Sequence, residues 1–285
     1  MRASTAAAFL VGLLTPFTLA APTAQKVLTP GGYRTNTNVQ QIPAGGSISR
    51  DGNQIHILDA QGTVVHTASA GATKVKSAVS PLETGWVTFA SWLNTDSSPI
   101  SSFTTSWTVP PVPATDNGQT IFLFNSIEPN AGDAIIQPVL QFGGSAAGGG
   151  SYWAVATWYL DSANTFFTTP VQTSAGATLN GVITLTGSSG SSYNYLSQFS
   201  NIPGTALDII GSTELTWATE TLEAYGVTEI SDYPAGSTVF TGINLQLASG
   251  AVPSVSWATT DDTADGLSTT VNTNGASNAR ITIKY

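Results

Sequence analysis

The stretch Thr120–Gly143, TIFLFNSIEPNAGDAIIQPVLQFG, decides how this chain is read. It holds two runs of β-branched and aromatic residues, TIFLFNSI and AIIQPVLQF, parted by Pro, Asn and Gly. That composition predicts two strands around a turn. Two polar residues stand where a plain structural strand would take apolar ones. Glu128 closes the first run just before Pro129, at a strand end of the kind where sites form. Gln137 interrupts the second, and a buried amide there needs partners.

Outward from this stretch the pattern hardly changes. WVTFASW, FTTSWTV, YWAVATWYL, TLNGVITLTG, SYNYLSQF, ELTWATETLEAYG, STVFTGINLQL and SVSWATT are all strand-length, with Gly, Ser, Asn and Pro clusters between them. No segment carries a helical apolar stripe. Many short strands without helices predict an all-β domain, a two-sheet β-sandwich of the jelly-roll or concanavalin-like type.

The 285 residues divide by composition into three parts. Residues 1–20 read as a secretory signal peptide: Arg2, then the apolar AAAFLVGLL, then Thr18-Leu19-Ala20 as a small-residue cleavage site. The product is expected outside the cell, with no membrane span and no membrane partner. Residues 21–80 form a basic, propeptide-like segment, with Lys26, Arg34, Arg50, Lys74 and Lys76 against Asp51 and Asp59, and with both histidines, His56 and His66. Its first thirty residues lack periodicity and read as an extended lead-in. Gln54–His66 reads as a hairpin, and a boundary is expected between Ala70 and Leu82. Residues 81–285 form the acidic domain, with Arg280 and Lys284 facing fifteen Asp and Glu.

These totals exclude a good deal. An acidic domain repels a phosphate backbone, so nucleic acid is not an expected partner. Without cysteine there is no disulfide, thiol nucleophile or thiolate metal site. Without histidine after His66 the domain can build neither a Ser-His-Asp triad nor a histidine metal centre. No dinucleotide or phosphate-loop fingerprint is present. The reading is therefore a domain with no cofactor and no metal, left with carboxylate and amide chemistry; a monomer is expected.

In Glu214–Gly226, a period of two puts Glu214, Thr216, Ala218 and Glu220 on one strand face and Trp217 on the other. Glu223 falls on the Trp217 face if the strand continues. A lone strand glutamate is usually a solvated surface group, a lone strand glutamine a satisfied amide, and Trp107, Trp153, Trp158 and Trp217 ordinary core aromatics. The case for a site rests on their combination.

The order WTVPPVP (107–113), FNSIEPN (124–130), IIQPVLQFG (135–143), YWAVATWYLD (152–161) and LTWATETLE (215–223) resembles that of the fungal glutamic peptidases, or eqolisins. Their pattern runs FTVP, W-x-G-I-D, I-L-Q-T-G, an aromatic strand, then A-E-W-I-x-E. The likeness spans about Phe103 to Leu245, half of the chain. It implies a secreted acid endopeptidase with a β-sandwich and a glutamine–glutamate dyad. Carried onto this sequence, Gln137 matches the dyad glutamine. Glu220 matches the glutamate after the tryptophan, and Glu128 the aspartate of the turn motif. Glu128, Trp153, Trp158 and Glu214 are then expected to line the site for a polypeptide substrate. Thr216 stands where the family has a glutamate before its tryptophan, Phe124 where it has a tryptophan, and Thr157 where it has an acid; Glu214 is the fallback for Thr216. The resemblance also makes the segment 21–80 the domain's own propeptide, held by opposite charge and loosened as acid protonates the domain.

Two other readings use the same residues. A non-catalytic carbohydrate-binding sandwich would present Trp153, Trp158 and Trp217 to solvent in a groove. A glycoside hydrolase would pair two glutamates, such as Glu128 and Glu220, about 5–10 Å apart.

Overall fold

The structure, a computed structural model, describes residues 25–71, 85–262 and 266–285. The leader expected over residues 1–20 lies outside them, as does most of the stretch in which the boundary is expected.

In chain order the strands are β1 (Lys26–Thr29), β2 (Gly32–Thr35), β3 (Val39–Gln41), β4 (Ser47–Asp51), β5 (Gln54–Leu58), β6 (Val64–Ser69) and β7 (Trp86–Leu93). They continue with β8 (Ile100–Thr108), β9 (Thr120–Glu128), β10 (Ala134–Ser145), β11 (Gly148–Asp161), β12 (Thr165–Phe167), β13 (Val171–Gln172) and β14 (Thr178–Ser189). The last are β15 (Ser192–Phe199), β16 (Leu207–Ser212), β17 (Trp217–Tyr225), β18 (Ser237–Leu247), β19 (Ala258–Thr260), β20 (Ser268–Thr273) and β21 (Ala279–Lys284).

Two sheets hold almost all of them. The first runs β19-β7-β17-β9-β10-β11-β12-β3, with β13 also on β11; the second runs β20-β21-β18-β8-β14-β15-β16-β4-β5-β6. Residues of both sheets share one core: Leu123, Ile136, Tyr159 and Leu222 from the first meet Phe103, Trp107, Ile183 and Tyr195 from the second. This is the expected all-β, two-sheet sandwich. Burial of such large aromatic and aliphatic side chains between two pleated faces is what holds it, at roughly 1.5–3 kcal/mol each.

β9 is buried along its whole length. Its run TIFLFNSIE does not alternate because both of its faces are covered. Towards the second sheet it presents Ile121, Leu123 and Ile127. Away from it, Phe122 and Phe124 join a smaller core with Val139, Trp158 and Phe167. The site question turns on that outer face.

The segment from residue 25 to 50 is more ordered than its composition predicts. β3 pairs in parallel with β12, Val39 facing Thr165, and β4 pairs in parallel with β16, Ser47 facing Asp208. β4, β5 and β6 then continue the second sheet outward, so the expected hairpin over 54–66 is present as β5 and β6. The segment has no period of its own because its strands are completed by partners distant in sequence. Ile42 and Ile48 are buried in the shared core. β1 and β2 form a separate hairpin.

Candidate active site on the outer face of the first sheet

Strand register fixes which of the expected residues can meet. Glu220 on β17 stands opposite Asn125 on β9 and Ala90 on β7. Ala218 and Leu222, two residues to either side, belong to the core between the sheets. Glu220 therefore points into the sandwich. Gln137 on β10 stands opposite Trp158 on β11, and Trp158 belongs to the outer core. Gln137 therefore lies on the opposite face of the same sheet. The expected Gln137–Glu220 dyad is not formed, because adjacent residues of a strand point to opposite sides and these two have opposite parity.

Four further expectations are corrected. Trp153 is buried between the sheets against Phe142, their ring centroids 5.4 Å apart, and does not line the outer face. Glu214 precedes β17, which begins at Trp217, so strand alternation does not reach it. It accepts a hydrogen bond from the Tyr193 hydroxyl of the second sheet at 3.3 Å. Glu128 and Glu220 also take opposite faces, which removes the two-glutamate glycosidase geometry. Trp153, Trp158 and Trp217 are at most 5% exposed, so none offers a sugar-stacking platform.

What the sheet does gather on its outer face is Gln137, Glu128, Trp158 and Trp217. β9 and β10 pair Ile136 with Ile127 and Val139 with Phe124. Gln137 consequently lies across from Ser126, and Glu128, two residues along, is its diagonal neighbour at about 7 Å by sheet geometry. Glu128 in turn stands opposite Trp217. Gln137 is 1% exposed and Glu128 fully buried. Gln137 Oε1 is buried with no hydrogen-bond partner among the described residues. An unmatched buried amide oxygen is costly, and a functional role is one of the few reasons a fold keeps one.

The floor of this patch is a hydroxyl chain. Ser126 and Thr219 share a hydrogen bond of 2.7 Å, and Thr219 and Thr221 one of 2.9 Å. Aromatic rings wall it. Trp217 stacks on Trp86 at 5.9 Å, and Trp158 packs on Phe167 at 4.9 Å. Further along β17, Glu223 lies on the Trp217 face, as alternation predicts for a strand that continues. Its Oε1 accepts hydrogen bonds from the Tyr225 hydroxyl at 2.5 Å and from the Gly31 N–H at 2.7 Å. The contact with Gly31 had no signal in the sequence, since the two residues lie far apart along the chain.

Inside the sandwich, Glu220 has the environment of a neutral acid. Burial holds its pKa well above the ordinary glutamate range, opposed by the Thr105 hydroxyl, which favours the charged form. Asn125 opposite is also fully buried, and neither its Nδ2 nor its Oδ1 has a hydrogen-bond partner among the described residues.

No family model and no curated protein matches the chain. Among solved structures, it is similar to scytalido-glutamic peptidase bound to a peptide-based transition-state analogue, at 13% identity and a TM-score of 0.48, over 70% of this chain and 98% of that one. A second structure of that peptidase, with a transition-state analogue inhibitor, gives 14% identity and 0.49 over 71% and 98%. SCP-B, a member of the eqolisin family of peptidases in complex with the tripeptide Ala-Ile-His, gives 14% and 0.47 over 70% and 98%. At such identity and overlap the likeness says nothing of which side chains act. These three structures are of glutamic peptidases, or eqolisins, the family whose pattern the sequence resembles.

Proposed function

We propose that the chain is a secreted, acid-acting endopeptidase whose water-activating pair is Gln137 with Glu128, on the outer face of the first sheet. The observation that carries this reading is their diagonal placement in one buried patch between Trp158 and Trp217. Peptide hydrolysis needs an activated water and a donor for the tetrahedral oxyanion. A Glu128 carboxylate can take the proton of a water and return it to the leaving amine. A neutral Gln137 amide can hold that water through Oε1 and donate from its nitrogen to the oxyanion. Because the amide carries no charge, it does not compete with ionisation of the acid, which suits work at low pH.

The test is cleavage of an unfolded protein substrate across pH 2–7 by the wild type, Glu128→Gln, Gln137→Ala and Glu220→Gln. The first two variants should lose activity by about a hundredfold or more, while Glu220→Gln retains it. Activity that survives Glu128→Gln, or that disappears in a well-folded Glu220→Gln, rejects the assignment.

A further inference from the structure

Loop tips ordinarily lie in solvent, yet the turn of the β1–β2 hairpin, Thr29-Pro30-Gly31-Gly32, is buried. It is held to the first sheet by backbone atoms. The Gly31 N–H donates to Glu223 Oε1 at 2.7 Å, and the Leu28 carbonyl accepts from the Ala146 N–H at 2.7 Å. The Tyr33 ring meets Tyr225 edge-on at 6.2 Å, and the Tyr225 hydroxyl fixes the same Glu223 oxygen. Within the turn, the Thr29 hydroxyl donates to the Gly32 carbonyl at 2.8 Å. Gly31 and Gly32 have φ of 108° and 94°, values that side-chain-bearing residues rarely adopt.

A segment read through one N–H and one carbonyl, with an aromatic contact beside them, is bound as a peptide ligand is bound. We propose that Glu223, Tyr225 and the Ala146 N–H form a peptide-backbone subsite, which residues 28–32 occupy from within the same chain. Its ligand class is a glycine-containing peptide with a free N–H for Glu223 and no side chain at that point. A free peptide enters when the hairpin vacates. The proposal rests on the reading above only in taking this face to be one that receives polypeptide.

The probe is a fluorescein-labelled synthetic peptide of residues 25–36, QKVLTPGGYRTN, titrated onto the full chain. Wild type should bind it weakly because the subsite is filled. The full-chain variant Gly31→Val, whose turn cannot keep its backbone conformation, should bind at least about tenfold more tightly. Adding Glu223→Ala should remove that gain, and the peptide carrying Gly31→Pro, which has no N–H, should not bind. Equal binding by wild type and Gly31→Val, or a gain that survives Glu223→Ala, overturns the proposal. Should Gly31→Val fail to fold, hydrogen exchange at the Gly31 amide decides. Its protection should fall by about tenfold in Glu223→Ala relative to wild type, and unchanged protection rejects the subsite. Neither readout involves cleavage. A chain that binds the peptide without cutting protein keeps the subsite and loses the proposed function, whereas an active chain indifferent to Glu223→Ala does the reverse.

Discussion

Glu220 stands directly opposite Asn125 across β17 and β9, both fully buried between the sheets. The carboxyl is held there in its neutral form by burial. In the unfolded chain it ionises at about pH 4.3, so above that pH the folded state holds a proton that the unfolded state has lost. Stability is then fully present below about pH 4.3 and declines as pH rises towards the folded pKa. Melting temperatures measured from pH 3 to 7 should fall with rising pH. Glu220→Gln should match wild type near pH 3 and exceed it at pH 7. Parallel wild-type and variant curves would refute the linkage.

Gly181 leaves the space that Asn125 fills. A Cβ there would lie 2.2 Å from Asn125 Oδ1 and 3.0 Å from the Trp107 ring. Gly181→Ala is expected to cost about 1–3 kcal/mol by overpacking, read as a lower urea midpoint.

The hydroxyl chain under the proposed site invites a double-mutant cycle. Thr219→Val removes the partner of the Ser126 hydroxyl, leaving it buried and unpaired at a cost of about 1–3 kcal/mol. Combining it with Ser126→Ala should recover part of that loss, so denaturant titration should give a coupling energy clearly different from zero.

Asp232 ties two loops together by accepting from the Thr115 hydroxyl at 2.7 Å, the Asn117 amide at 2.8 Å and the Thr228 N–H at 2.8 Å. The Thr115 hydroxyl first, and then the Thr228 and Glu229 donors, hold its pKa well below the usual aspartate range. This contribution is present above the unfolded pKa of about 3.9 and disappears only as pH falls through the depressed folded value. Asp232→Ala should therefore speed hydrogen exchange at Thr228 and Glu229 at pH 5, with the difference shrinking in strong acid. Unchanged exchange at pH 5 would count against the tie.

The sandwich was legible because strand composition and turn residues are local signals, repeated along the domain. Gln137 and Glu128 were also legible, as polar residues inside apolar runs. Their partnership was not. The resemblance aligned Glu220 on Trp217, but parity along β17 sends Glu220 into the core and Trp217 outward, with Glu223 following Trp217. Which face is the interior is settled by the opposing sheet, and no single strand reports that. Trp153 and Trp158 illustrate the same limit: five residues apart, they fall on opposite sides of β11. Gly31 and Glu223 lay beyond sequence reading altogether, since only the assembled sheet brings them together.

The parallel pairings of β3 with β12 and of β4 with β16 carry a consequence for how the chain reaches this state. Val39 and Ser47 are synthesised early, but their partners Thr165 and Asp208 lie in strands made much later, β12 and β16. Contacts so distant in sequence close slowly, and the strands concerned remain open edges until they do. The beginning of the chain thus waits for strands made much later before its own strands join the two sheets.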